Sequence, residues 1–283
     1  MKRRKWLGPT LSCLTLALAF IMFFPILWMF LTSFKTEADA FAYPPAIIFQ
    51  PTLEHYEIAL GASRYFDFLL NTILITAYST LAALLLGVPA AYSLAYYPTK
   101  RTNYALMWIM STRMLPAVGV IVPLYVIFKN LQLFDTYSGL VALYTAMNLP
   151  LVIWMMRSFL VDLPYEAIEA ARIDGAGLWQ ELWLVILPMA LPGLVSTMLL
   201  CLIFTWNEFV FSNLLTGRSV MPFTRAVTGA YAAVAIGADG SWVSVPNYPA
   251  VAALGVMTIV PIALLSFYLQ KHITRGMSYG ALP

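Results

Sequence analysis

Charge is what this sequence has least of. Only 10% of its 283 residues are Asp, Glu, Lys or Arg, against about 25% in a soluble domain. With 61% hydrophobic residues and a mean hydropathy of +0.80, the chain has no polar coat to wrap around a core, so its solvent is largely lipid. Histidine is almost absent: His55 and His272 stand far apart, which excludes an H-E-x-x-H metal pair and a His-based catalytic group. The two cysteines, Cys13 and Cys201, each sit inside an apolar run and read as small packing residues rather than a disulfide. No stretch fits G-x-x-x-x-G-K-[ST], so the chain does not itself cradle nucleotide phosphates. The net charge of +3 is too small to point to nucleic acid. No catalytic residue, metal ligand or resident cofactor is expected.

What is present in quantity is long apolar runs. A helix needs about 20 such residues to cross the hydrocarbon core, and six stretches qualify: 9–32, 68–96, 104–128, 138–160, 190–213 and 248–270. The expected architecture is one all-α transmembrane domain over 1–283 with six spanning helices. Lys2, Arg3, Arg4 and Lys5 before the first run imitate a signal peptide, and Ala38-Asp39-Ala40 imitates a cleavage site. The run from Leu7 to Leu31 is nonetheless too long for the roughly 7–15 residues of a signal core, so it reads as a retained span.

Basic residues set the orientation. With the N-terminus inside, the inner segments hold Lys2, Arg3, Arg4, Lys5, Lys100, Arg101, Arg157, Arg172, Lys271 and Arg275, while the outer ones hold Lys35, Arg64, Lys129, Arg218 and Arg225. Both termini are therefore expected in the cytoplasm of a multi-pass plasma-membrane protein. Two outer segments are long: the acidic 34–67, and 214–247, rich in Gly, Ala and Ser. Either suits an external partner or a solvated connector. Every span contains or abuts a proline, namely Pro25, Pro89, Pro116 with Pro123, Pro150, Pro192 and Pro261. Each frees a carbonyl that lipid cannot satisfy, which favours a transporter or channel over an anchor.

The inner stretch 162–188 carries the most information. Pro164 suits the first turn of a short helix, capped by Asp162 or Leu163, with Glu166 near its positive end. Gly175 and Gly177 break that helix, and a second one runs into Pro188. Ala167, Ala170, Ala171 and Asp174 share a face of methyl groups that permits close approach to a groove, flanked by Glu166, Glu169 and Ile173. The pattern describes an acidic knob for another cytoplasmic protein to grip, or else a helix pair lying on the membrane. Five acidic residues against the single Arg172 are the wrong sign for anionic lipid.

Glu169-Ala170-Ala171, three residues, Gly175, nine residues, then Val185-Ile186-Leu187-Pro188 resembles the EAA signature of binding-protein-dependent ATP-binding-cassette import permeases, departing only in Val185 for the usual isoleucine. Met114-Leu-Pro116 with Pro123-Leu-Tyr125, Leu133-Phe-Asp135-Thr-Tyr, and Trp206-Asn207-Glu208-Phe209 are similar to the maltose-type carbohydrate branch, as its second permease, and Thr112–Pro116 looks like the polyol importers within it. The resemblance runs from the second span to the C-terminus and implies a type I importer permease forming half of a sugar or polyol channel in the bacterial inner membrane.

In such permeases the EAA loop is a coupling helix docked on the ATPase. The resemblance thus implies that Glu166, Glu169, Ala170, Ala171, Asp174, Gly175 and Ala176 dock a separate subunit, with ATP and Mg bound there rather than here. It implies as partners a second permease, two copies of the ATPase and an extracytoplasmic sugar-binding protein, with lipid around the spans. The tail Thr274–Gly280 resembles the one such permeases insert between the ATPases, and 214–247 falls where they reach into the binding protein.

Charges inside spans cost several kcal/mol and face a cavity or a partner. Arg113 lies about 14 Å into the third span at 1.5 Å per residue. Cys201, Thr205, Glu208 and Ser212 form a polar stripe on the fifth, with Asn207 beside it and Asn148 mid-span in the fourth. Arg113, Trp206, Asn207 and Glu208 have the chemistry to meet a hydroxyl-rich substrate, or to join helices. Two other functions stand beside the importer: a secondary transporter driven by an ion gradient, which needs no docking loop and usually shows two related halves, and a non-transport assembly subunit.

Overall fold

The computed structural model describes residues 7–61, 65–217, 219–229, 232–236 and 242–277. The basic N-terminal residues 2–5, Arg64, Arg218 and the tail from residue 278 lie outside the described residues.

In chain order the helices are α1 (Leu7–Thr32), α2 (Glu37–Ala40), α3 (Glu54–Gly61), α4 (Tyr65–Tyr96), α5 (Thr102–Arg113), α6 (Ala117–Asn130), α7 (Tyr137–Val161), α8 (Tyr165–Ile173), α9 (Leu178–Gln180), a π-helical turn (Glu181–Ile186), α10 (Leu187–Met189), α11 (Leu191–Trp206), α12 (Val210–Leu215), α13 (Phe223–Gly229) and α14 (Tyr248–Met277). Between the last two, β1 (Ala232–Ile236) pairs antiparallel with β2 (Trp242–Pro246), Ala233 opposite Val245. The Gly-, Ala- and Ser-rich segment 214–247 thus holds a two-stranded ribbon that its composition did not announce.

Four helices are single apolar crossings: Leu11–Thr32, Tyr65–Tyr96, Tyr137–Val161 and Tyr248–Tyr268. Two bent helix pairs are apolar enough when taken together, each a broken span or a re-entrant loop. α5 and α6 meet at 85°, and the run Leu178–Met189 meets Leu191–Trp206 at 83°. The third stretch, expected as one helix, is therefore broken at Met114-Leu115-Pro116. Pro116 takes φ −66° and ψ 129° ahead of α6, and a proline drives the residue before it out of the helical region. The fifth stretch also divides, α11 ending at Trp206 and α12 starting at Val210.

Two compact units appear, one of residues 1–65 with 227–260, the other of 66–226 with 261–283. In the first, α1 exposes almost its whole surface, Met22 to 79% and Leu16 to 70%, as a helix with lipid for solvent does. The chain after it is held by the Ser33 and Tyr56 hydroxyls at 2.7 Å and by Thr52 N–H donating to the Phe34 carbonyl at 2.8 Å. Lys35 is buried with its ammonium 4.1 Å over the Trp28 ring.

The second unit holds the core. Val88, Ala91 and Tyr92 of α4 pack with Val152, Met156 and Leu160 of α7, Ile168 of α8, and Leu182 and Ile186 of the π turn. Close packing of α7 on α11 depends on Gly193, where an added Cβ would lie 2.4 Å from Phe159 Cγ. A second cluster gathers Ile75, Phe128, Leu140, Tyr144, Phe211 and Leu215. Thr136 starts α7 by accepting a 3.1 Å hydrogen bond from Gly139 N–H, satisfying one of the orphan donors of a helix start.

Candidate functional site: an exposed acidic helix and the cavity beside Arg113

The acidic knob exists and is built as a helix, a glycine turn and a second helix. Pro164 sits one place earlier than expected, outside the helix at the cap position with φ −63° and ψ 120°; neither Asp162 nor Leu163 caps it. α8 ends at Asp174, and Gly175 follows with φ +84°, a left-handed conformation that glycine reaches at no steric cost. The turn is closed by Ala176 N–H donating to the Ala171 carbonyl at 3.0 Å.

Burial sorts the expected docking residues. Glu166, Glu169, Ala170, Asp174 and Gly175 are exposed and Ala176 is half-buried. Ala171 is only 9% exposed and turns inward beside the fully buried Ile168. Of the expected face, only Ala171 turns inward; Ala170 and Asp174 remain at the surface with the strip of Glu166, Glu169 and Ile173, the last 85% exposed. Ile173 lies on the flanking strip, and periodicity alone does not show which strip the core takes.

Glu181 is a functional candidate that the sequence did not mark. It is 1% exposed and accepts from Arg172 Nε at 2.9 Å, Arg172 Nη2 at 3.0 Å and the Tyr92 hydroxyl at 2.9 Å. Arg172 also donates to the Tyr97 hydroxyl at 3.1 Å. Arginine and glutamate nine residues apart across a glycine turn share no helical register, so no pattern announced the pair.

The second region is a cavity of about 450 Å³ whose wall is mostly apolar, Leu124, Leu143 and Phe204 among it, with Arg113, Tyr144, Asn148 and Glu208 set into it. Arg113 ends α5 at the bend, its guanidinium 4.5 Å over the Phe204 ring, with Nη1 buried and without a hydrogen-bond partner. Glu208 is fully engaged. It accepts from the Tyr144 hydroxyl at 2.6 Å and from the Phe211 and Ser212 N–H groups at 2.9 and 3.0 Å. It thereby caps α12 where the fifth stretch breaks, so the supposed stripe from Cys201 to Ser212 does not run along one continuous helix. Asn148 Nδ2 donates to Thr205 Oγ1 at 2.8 Å.

Of the four expected pathway residues, then, Arg113 and Glu208 share this cavity. Trp206 is 6% exposed and lines a separate apolar space with Ile73, Leu202 and Pro261. Asn207 is exposed and returns its amide to the Ile203 carbonyl of its own helix at 2.8 Å.

Asp135 has a plain role. With φ +57°, it accepts from Gly217 N–H at 2.7 Å, Val220 N–H at 3.0 Å and Ser219 N–H at 3.1 Å. Burial pushes its carboxyl up, but these three backbone donors outweigh that and hold it below the usual carboxylate value. Among the described residues, no group of three or more His, Cys, Asp or Glu is placed to hold a metal ion.

Comparison with known proteins agrees with this architecture. The chain is 31% identical to a probable ABC transporter permease protein of Sinorhizobium fredii, over 94% of this chain and 92% of that one. It is 31% identical to the trehalose transport system permease protein of Mycobacterium tuberculosis, over 91% of each, and 31% identical to the diacetylchitobiose uptake system permease protein of Streptomyces coelicolor, over 92% of this chain and 84% of that one. Among solved structures it superposes with a TM-score of 0.75 and 23% identity on a chain of a bacterial ABC transporter that imports the acidic polysaccharide alginate, covering 96% of this chain and 98% of that one. That likeness shows the fold alone. Residues 83–279 match the family described as binding-protein-dependent transport system inner membrane component, and the chain belongs to that family.

Proposed function

We propose that this chain is one of the two permease subunits of an ATP-driven importer for a sugar or polyol. It forms half of the channel and couples to ATP hydrolysis on a separate cytoplasmic ATPase. The observation that carries the reading is the exposed acidic strip of α8, with Glu166 and Glu169 facing solvent on a short helix that ends at Gly175. A secondary carrier has no use for such a strip. Glu166, Glu169, Ala170, Asp174, Gly175 and Ala176 are the docking residues in this reading, with Ala171 supporting the helix from beneath.

The basic-residue count supports a cytoplasmic location for this segment and for both termini, in the inner membrane. A second permease, two ATPase copies that bind ATP and Mg, and an extracytoplasmic sugar-binding protein complete the assembly. Sugar is the substrate class named for the trehalose and diacetylchitobiose relatives; it is proposed for this chain too. Arg113 supplies the free donor of the cavity to a hydroxyl-rich substrate, and Glu208 shapes the wall behind it.

Affinity purification of the tagged chain from its own membranes tests the reading. The expected result is recovery of a second permease and an ATPase, with uptake of a sugar or polyol on reconstitution only when ATP and the binding protein are supplied. Solute movement by the isolated chain, driven by an ion gradient, would overturn it.

A further inference from the structure

A glycine-rich turn is a poor transmitter of force, because it bends before it pushes. The coupling segment has two glycines, Gly175 and Gly177, between α8 and the π turn. The Arg172–Glu181 pair spans that turn from side to side, through the two guanidinium hydrogen bonds described above. Glu181 cannot serve as a docking charge, since it is 1% exposed and its carboxylate is taken up by Arg172 and Tyr92. The third bond, from the Tyr92 hydroxyl at 2.9 Å, reaches the last turn and a half of α4. There Tyr96 donates in turn to the Leu160 carbonyl at the end of α7, at 2.5 Å.

We propose that Glu181 and Tyr92 are positioning residues of the transport cycle: with Arg172 they lock the two arms of the coupling segment together and fasten them to α4. Displacement of α8 by the ATPase then moves α4 and the entry turn of α11 as one body, instead of being absorbed at Gly175. The inference rests on the importer reading given above.

Tyr92→Phe is the discriminating variant. It removes one hydroxyl and keeps the ring between Tyr96 and Tyr97, whose centroids lie 5.5 and 5.9 Å away. In the full reconstituted transporter, ATP hydrolysed per sugar imported should rise at least threefold with the assembled complex intact. Glu181→Gln should behave alike, and exchanging the charges as Arg172→Glu with Glu181→Arg should bring the ratio closer to wild type than either single change. An unchanged ratio for Tyr92→Phe overturns the proposal. So does a lower yield of complex with a normal ratio per complex, because that is a folding role alone. If the wild-type complex itself couples no ATP hydrolysis to uptake, the importer reading fails and this inference falls with it; normal wild-type coupling with a normal variant sinks the inference alone.

Discussion

The guanidinium carbon of Arg113 lies 4.5 Å from the centroid of the Phe204 ring, joining the broken end of α5 to α11 across the cavity. The contact holds the charge over an aromatic face while Nη1 stays without a partner. A buried donor to a charged group is worth about 1.5–3 kcal/mol when satisfied, roughly ten- to a hundredfold in an equilibrium constant. Arg113→Ala should therefore lower uptake at subsaturating sugar by about that factor, with the complex still assembled, and Arg113→Lys should recover part of it. Transport assays on both variants check this; normal uptake and affinity in the alanine variant would remove Arg113 from the pathway.

Glu208 does a different job in the same cavity. Its carboxylate caps α12 through Phe211 and Ser212 and accepts from Tyr144. Removing it leaves donors unpaired in an apolar setting. Glu208→Ala should destabilise the chain by about 2 kcal/mol, seen as a lower Tm in detergent, whereas Asn207→Ala, whose amide serves only its own helix, should leave the Tm nearly unchanged. Equal Tm values for the two variants would contradict the assignment.

Gly175 adopts φ +84°, and nothing stands within 4 Å of where its Cβ would be. Substitution therefore costs backbone strain and not a clash, about 1–2 kcal/mol for an ordinary side chain and more for a β-branched one. Gly175→Val should shift the end of α8 and raise ATP hydrolysis per sugar imported, while Gly175→Asn, which tolerates this region, should have a milder effect. Parallel ATPase and uptake measurements decide it; wild-type coupling in the valine variant would show that the turn's geometry is immaterial.

How much of this was legible beforehand depends on range. The long apolar helices were visible because lipid demands such runs, and the helix and glycine turn after α7 because proline and glycine act locally. The 85° bend after Arg113 was visible only as a proline, since Pro116 fixes where a helix must stop but not where the next one points. Glu181 and Tyr92 meet from 89 residues apart, and Asp135 reaches donors 82 to 85 residues on; no periodicity encodes such pairings. Trp206 follows Thr205 directly on α11, and the one-residue step takes it to the apolar space while Thr205 lines the cavity.

Asp135 gives a pH-dependent signature. Its carboxyl is held below the ordinary value of 3.8 by three backbone donors, so the ionised form is favoured in the folded state. Its stabilisation is full above the unfolded value and is lost as pH falls through the lower folded one. The Tm of the wild type should exceed that of Asp135→Asn at pH 7, by an amount corresponding to about 1 kcal/mol, and the gap should narrow as the pH is taken below 4. A gap that widens on acidification would contradict the arrangement.

The central claim is that the strip carrying Glu166 and Glu169 is gripped from inside the cell by a nucleotide-driven subunit. A photoreactive phenylalanine in place of Glu169 tests it most directly, by crosslinking in native membranes with and without ATP. The account predicts a covalent adduct with a subunit carrying G-x-x-x-x-G-K-[ST], its yield changing with ATP, and no labelling of position 169 by membrane-impermeant reagents applied outside intact cells. Labelling from outside, or no adduct with any ATPase in either state, would contradict it.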